Sequence, residues 1–165
     1  MKLDLREIID VPGGRVPFEQ ELDTSRLDFS SVAGYSGPIR AAGEIVNTAG
    51  VLTAHGGIDA AMVCYCDRCG KAFELKKHID VDVPIVPEDE GEDAESDAFS
   101  LEGDWLDLDD LLETVFILDM DTKFLCRPDC KGLCPKCGRD LNNGPCDCRP
   151  ETDPRFAVLE QLLDK

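Results

Sequence analysis

Six of the nine cysteines in this 165-residue chain fall between Cys126 and Cys148, and their spacing decides what chemistry is open to them. Cys134-Pro-Lys-Cys137 is a CxxC run closed by Gly138. In such a run both thiolates can face inward, backbone N–H groups turn toward the sulfurs, and the glycine takes the tight turn at low steric cost. Cys146 and Cys148 follow after an eight-residue spacer that contains Asn142, Asn143, Gly144 and Pro145. Two short pairs on one flexible loop can close a tetrahedral four-thiolate site. Cys134, Cys137, Cys146 and Cys148 therefore read as one structural zinc site. Two pairs remain, Cys66-Asp-Arg-Cys69 followed by Gly70, and Cys126-Arg-Pro-Asp-Cys130. If Cys66, Cys69, Cys126 and Cys130 share a second zinc, the metal ties the C-terminal module to what precedes it. Two such sites use eight of nine cysteines and leave Cys64 as the spare. Spacing alone leaves other partitions open, such as Cys130 replacing Cys126 or Cys148 in one site.

Structural zinc fills all four positions with protein ligands, whereas catalytic zinc keeps one open. Eight thiolates and only two histidines favour the closed kind. His55 and His78 read as ordinary sheet or surface residues. Four thiolates also suit iron, and zinc is the preferred reading. Structural zinc is worth roughly 10–16 kcal/mol in small fingers, against about 5–15 kcal/mol for a whole domain, so its removal is expected to unfold the module. A disulfide framework fits poorly with an odd cysteine count. Thiol redox catalysis, a distant alternative, needs a CxxC at a helix N-terminus within a βαβ unit, and neither CxxC has that context. No Ser/His/Asp grouping, P-loop or dinucleotide fingerprint is present, and no enzyme activity is expected.

The elements that must carry these cysteines follow from hydrophobic periodicity. Residues 1–34 read as an extended opening segment with a short helical piece and a strand around Phe18–Asp23. From Ile39 to Val86 three β-leaning runs (39–47, 51–66 and 72–86) read as an antiparallel meander. The glycines of Ala54-His55-Gly56-Gly57 suggest a bulge or kink within the middle run. The Cys66–Gly70 turn then becomes a cysteine-bearing hairpin tip. Residues 87–97 are a charged loop. Leu108, Leu111, Leu112, Val115 and Phe116 form a helical stripe over about 107–118, with Asp107 as N-cap. Asp153 and Pro154 open a short terminal helix with Phe156, Leu159, Leu162 and Leu163 on one face. The expected fold class is α+β: an antiparallel sheet, one main amphipathic helix, a cysteine-rich zinc module and a short terminal helix. Its organisation is a β-rich body over 1–122 and a module over 123–165 docked on it.

Charge and composition set the environment. Positions 2, 4, 6 and 7 are charged, so the opening residues hold no apolar signal-peptide core. The charge-free run 45–58 is too short and too polar to span a bilayer. A cytoplasmic protein with reduced thiols and no membrane partner is expected. The net charge is −18, and between His78 and Lys123 lie seventeen acidic residues with no Lys or Arg. Such a surface repels phosphate backbones and attracts basic partners, although solvation alone is the plainer reading. Arg127, Lys131, Lys136 and Arg139 could gather a small basic patch within the module; scattered surface charge is again the plainer reading.

CDRCG after a β-rich segment, an acidic stretch leading to LDLDDLLET, CKGLCPKCGRDLNNGPCDC and a terminal DPRFAVLEQLL stand here in order. Together they resemble the YceD family, the large ribosomal RNA subunit accumulation proteins, over roughly residues 38–163. That resemblance implies a non-catalytic role in 23S rRNA accumulation and large ribosomal subunit biogenesis. The expected partner is large-subunit precursor rRNA or a basic ribosomal protein whose charge the acidic body shields. Not every member of the family has the second cysteine cluster, so two structural zincs would be an elaboration. The alternative reading is a zinc-ribbon nucleic-acid-binding regulator.

Overall fold

Along Val51–Tyr65 every second side chain is buried: Leu52, Ala54, Ile58, Ala60, Met62 and Cys64. His55, Asp59 and Tyr65 on the opposite face are exposed, the period of two that a sheet with one covered face imposes. The computed structural model describes residues 1–87 and 98–148 and organises them around this strand. In chain order the elements are β1 (Lys2–Asp4), α1 (Arg6–Ile9), β2 (Arg15–Leu22), β3 (Val32–Tyr35), β4 (Ile39–Thr48), β5 (Val51–Tyr65), β6 (Ala72–Val86), β7 (Phe99–Ser100), β8 (Trp105–Asp107) and α2 (Leu108–Leu118). Short 3-10 turns cover Thr24–Arg26 and Leu141–Asn143. The expected terminal helix and acidic residues 88–97 lie outside the described residues. The fold is mainly sheet with one main helix and a cysteine-rich region toward the C-terminus.

The main sheet runs β2-β4-β5-β6-β7. It is larger than a three-run meander. On one edge of β5, β4 pairs with Val51–Asp59 and β3 pairs with Met62–Cys64. On the other, β6 pairs along its full length, Leu52↔Ile85 through Tyr65↔Ala72. β7 joins β6 in parallel, only at Ile85 and Val86. β1 and β8 form a separate antiparallel pair.

The expected bulge at 54–57 is absent. The β4–β5 and β5–β6 registers run through Gly56 and Gly57 without a shift. These glycines serve close approach instead. A Cβ on Gly43 would sit 2.1 Å from the His55 carbonyl oxygen, and one on Gly56 would sit 2.4 Å from that of Ala42. The irregularity in the sheet falls elsewhere, between Val32 and Gly34 of β3.

α2 covers the buried face. Leu108, Leu111, Leu112 and Phe116 are fully buried, and the Asp107 carboxylate caps the helix by accepting from the Asp110 N–H at 3.4 Å. Glu113, also buried on this helix, is neutralised by Arg26 at 3.1 Å. At the far end of the sheet, Asn47 Nδ2 donates to the carbonyls of Ile8 and Ile9, both at 2.7 Å, and Asn47 Oδ1 accepts from the Gly50 N–H at 2.8 Å. That buried side chain closes α1 and the β4–β5 turn together.

Candidate metal centres

The β5–β6 hairpin ends in the run Cys66–Gly70, and the second CxxC lies at Cys134–Gly138. Both are built alike. The Gly70 N–H donates to the Cys66 carbonyl at 2.8 Å, and the Gly138 N–H to the Cys134 carbonyl at 2.9 Å. The N–H of each first cysteine donates in turn to the carbonyl five residues on, Lys71 or Arg139. Gly70 and Gly138 have φ of +69° and +70°, a conformation that side chains with a Cβ resist. This local duplication follows from two CxxCG runs.

Each run meets a second pair of cysteines. Sulfurs of Cys66, Cys69, Cys126 and Cys130 all lie within 4.8 Å of one another, as do those of Cys134, Cys137, Cys146 and Cys148. In the first group Cys66 Sγ is 3.8 Å from Cys130 Sγ, and Cys69 Sγ is 3.7 Å from Cys126 Sγ. A tetrahedral ion with metal–sulfur bonds of about 2.3 Å has sulfur–sulfur edges of about 3.8 Å. Disulfide sulfurs would be about 2.05 Å apart. The donor set and its spacing therefore fit a four-thiolate metal ion. Cys64 takes no part; it is fully buried in the sheet core, and burial pushes its thiol upward.

The electrostatics of the groups make the same point. Burial opposes ionisation of Cys66, but backbone N–H groups of Cys126, Cys69 and Arg68 overcome it and bring the thiol down to about 6. The N–H groups of Cys137 and Lys136 likewise hold Cys134 at about 6. One cysteine of each group goes the other way. Cys126 is pushed up to about 12 by burial and the surrounding thiols, and Cys148 to about 12 by Cys137 and by burial. Thiolates this close repel one another, and a divalent cation allows all four to ionise together.

The first group is the better enclosed. Cys66, Cys69 and Cys130 are buried, with Phe73 and Leu125 packed against them. In the second group Cys134 is buried and Cys137 exposed. The two are joined by polar residues that periodicity and cysteine spacing do not reveal. Asp67 accepts from the Phe124 N–H at 2.5 Å and from Ser31 Oγ at 3.0 Å, while its own N–H donates to the Phe124 carbonyl. Arg68 Nη1 donates to the Cys130 carbonyl at 2.6 Å. Asn142 donates to Cys130 Sγ at 3.5 Å and accepts from the Lys131 N–H at 2.8 Å. Asp140 caps the Leu141–Asn143 turn and pairs with Lys71 at 2.6 Å, which holds its carboxyl down at about 2. The available signal was the Asp-Leu-Asn-Asn run, whose short polar side chains favour capping. Of the four cations expected to form a patch, Arg127 is taken up by Asn142 at 2.7 Å and Asp129 at 3.4 Å.

His55 and His78 stand on the exposed face of the sheet, away from both groups. His78 Nδ1 is 2.7 Å from Asp59 and its Nε2 is 3.6 Å from Asp80. Among the described residues no helix is long and apolar enough to cross a membrane.

A mostly antiparallel sheet, one covering helix and two four-cysteine groups define a β-rich protein with candidate metal clamps at one end. The family whose sequence profile matches residues 54–163 is "Large ribosomal RNA subunit accumulation protein YceD". The chain belongs to the YceD family, whose name points to a role in accumulation of large-subunit ribosomal RNA. Uncharacterized proteins of Mycobacterium bovis and Mycobacterium tuberculosis are each 38% identical to it over 58 residues, 35% of this chain. That match spans 28% of the length of those relatives. No solved structure matches the chain.

Proposed function

We propose that this chain is a non-catalytic factor for 23S rRNA accumulation and large ribosomal subunit biogenesis, held in shape by two structural zinc ions. The observation that carries the reading is the YceD match, because its span of 54–163 contains all eight clustered cysteines. Cys66, Cys69, Cys126 and Cys130 hold one zinc; Cys134, Cys137, Cys146 and Cys148 hold the other. With four cysteines in each group, every position of a tetrahedral ion is taken by protein, which suits a clamp and leaves none open for substrate. The factor acts through a ribosomal protein or precursor rRNA. With a net charge of −18 the first is the easier partner, since phosphate-rich RNA is repelled unless cations are concentrated locally.

Elemental analysis of freshly purified protein, with sedimentation of cell extracts on gradients, tests this. Two zincs per chain and co-sedimentation with large-subunit precursors are expected. A metal-free chain with oxidised cysteine pairs would remove the clamp, and a chain that stays at the top of the gradient would remove the assembly role. Arg68, Lys131 and Arg139 beside the metal groups favour a second reading, a zinc-ribbon nucleic-acid binder. Retention on DNA that weakens steeply with salt would support it.

A further inference from the structure

Below β7 the outer edge of β6 carries no neighbouring strand among the described residues, because β7 pairs only with Ile85 and Val86. Between that edge and α2 runs an open groove of about 800 Å³. Val83, Val115 and Leu118 give it an apolar lining, and Asp80, Asp82 and Asp119 stand along it. Leu118 is 79% exposed at the end of a helix whose other leucines are buried. Of the carboxylates, Asp119 is met by Lys77 at 3.0 Å, whereas Asp80 and Asp82 have, among the described residues, only histidines as ion-pair partners, His78 at 3.6 Å and His55 at 3.2 Å.

We infer that this groove docks a lysine- or arginine-rich protein segment that also carries large apolar side chains. Its apolar side chains replace water over Leu118 and Val115, and its cations meet Asp80 and Asp82. Charge selects the occupant. A second copy of a chain with net charge −18 meets its own sign across the groove, and so does RNA. Acidic side chains and Pro84 on this edge also obstruct pairing with like strands. The same carboxylates attract a basic segment. The inference rests on the assembly reading above and deepens it by placing its protein partner on one face.

The probe is a short fluorescein-labelled peptide in which Lys alternates with Leu, titrated into the full chain by anisotropy. Wild type is expected to bind it. Leu118→Ser, a change at an exposed position, is expected to weaken binding about tenfold. The double change Asp80→Asn with Asp82→Asn is expected to weaken it about three- to tenfold, with a loss of salt dependence. Equal binding to all three proteins, or none to wild type, overturns the groove. Equal binding of a Glu/Leu peptide would mean an apolar segment is the occupant, residues 156–163 of this chain included, and overturns it too. So does a single-stranded oligouridine that binds wild type and loses affinity with Leu118→Ser. Gradients separate this from the assembly reading: variants that still sediment with large-subunit precursors remove the groove alone, while a wild-type chain that does not sediment removes the assembly reading and leaves the groove to the peptide result.

Discussion

His78 lies with one ring nitrogen against Asp59 and the other toward Asp80, and its ring fills the space above Gly57, where a Cβ would come within 2.6 Å of Cε1. The hydrogen bond that the imidazole donates to Asp59, helped by the carboxylate's charge, raises the pKa of the ring above the ordinary value. A raised folded-state pKa contributes stability that is fully present below the unfolded value, about 6.5, and is lost as pH rises through the folded value. Proton NMR titration is expected to show the His78 midpoint moving down toward the ordinary value in Asp59→Asn; an unmoved midpoint would show the carboxylate is not its cause. The Asp59 partner is not legible in the sequence, because Asp59 sits nineteen residues away and meets His78 only through the β5–β6 register. The cysteines are different. Short spacings within each pair make the groups readable, yet Asn142 and Asp67, which lean on the same groups, carry no such spacing.

Glycine in a strand has two uses, a bulge or a close approach of backbones, and the sequence does not distinguish them. Gly43 and Gly56 face each other across β4 and β5, and the unbroken register there shows the second use. Gly43→Ala is expected to cost about 3 kcal/mol or more, since the new methyl meets backbone on a paired strand and a flexible side chain could not yield for it. Gly37, with nothing within 4 Å of an added Cβ, is the control. Urea midpoints of the two variants should separate widely; similar midpoints would mean the strands part easily. The long runs of β5 and β6 and the stripe of α2 are legible from local periodicity alone. The place of β3 beside β5, and the parallel step to β7, depend on pairings far apart in sequence, and periodicity is silent about them.

At the scale of the molecule two buried clusters coexist among the described residues: the sheet with α2, and the separate group of Cys66, Cys69 and Cys130. None of the eight clustered cysteines belongs to the first. Chelation with EDTA is therefore expected to remove hydrogen-exchange protection from the amides of Leu133, Cys134 and Leu141 while those of Ile45, Ile58 and Val81 persist. Simultaneous loss across the sheet would show that the clamps support the whole fold, and no loss at all would show that they support neither part. The inner clamp also has a meaning in time. Cys66 and Cys130 are 64 residues apart and Cys69 and Cys126 are 57 apart, whereas the outer group spans only Cys134 to Cys148. A covalent cross-link over such a distance removes about 4 kcal/mol of loop entropy from an unfolded chain. On the ribosome, where the N-terminus emerges first, the hairpin cysteines must wait as half a ligand set until all of α2 has been made. With the proposed zinc bound there, its capture would mark the moment at which hairpin, helix and module become one closed ring.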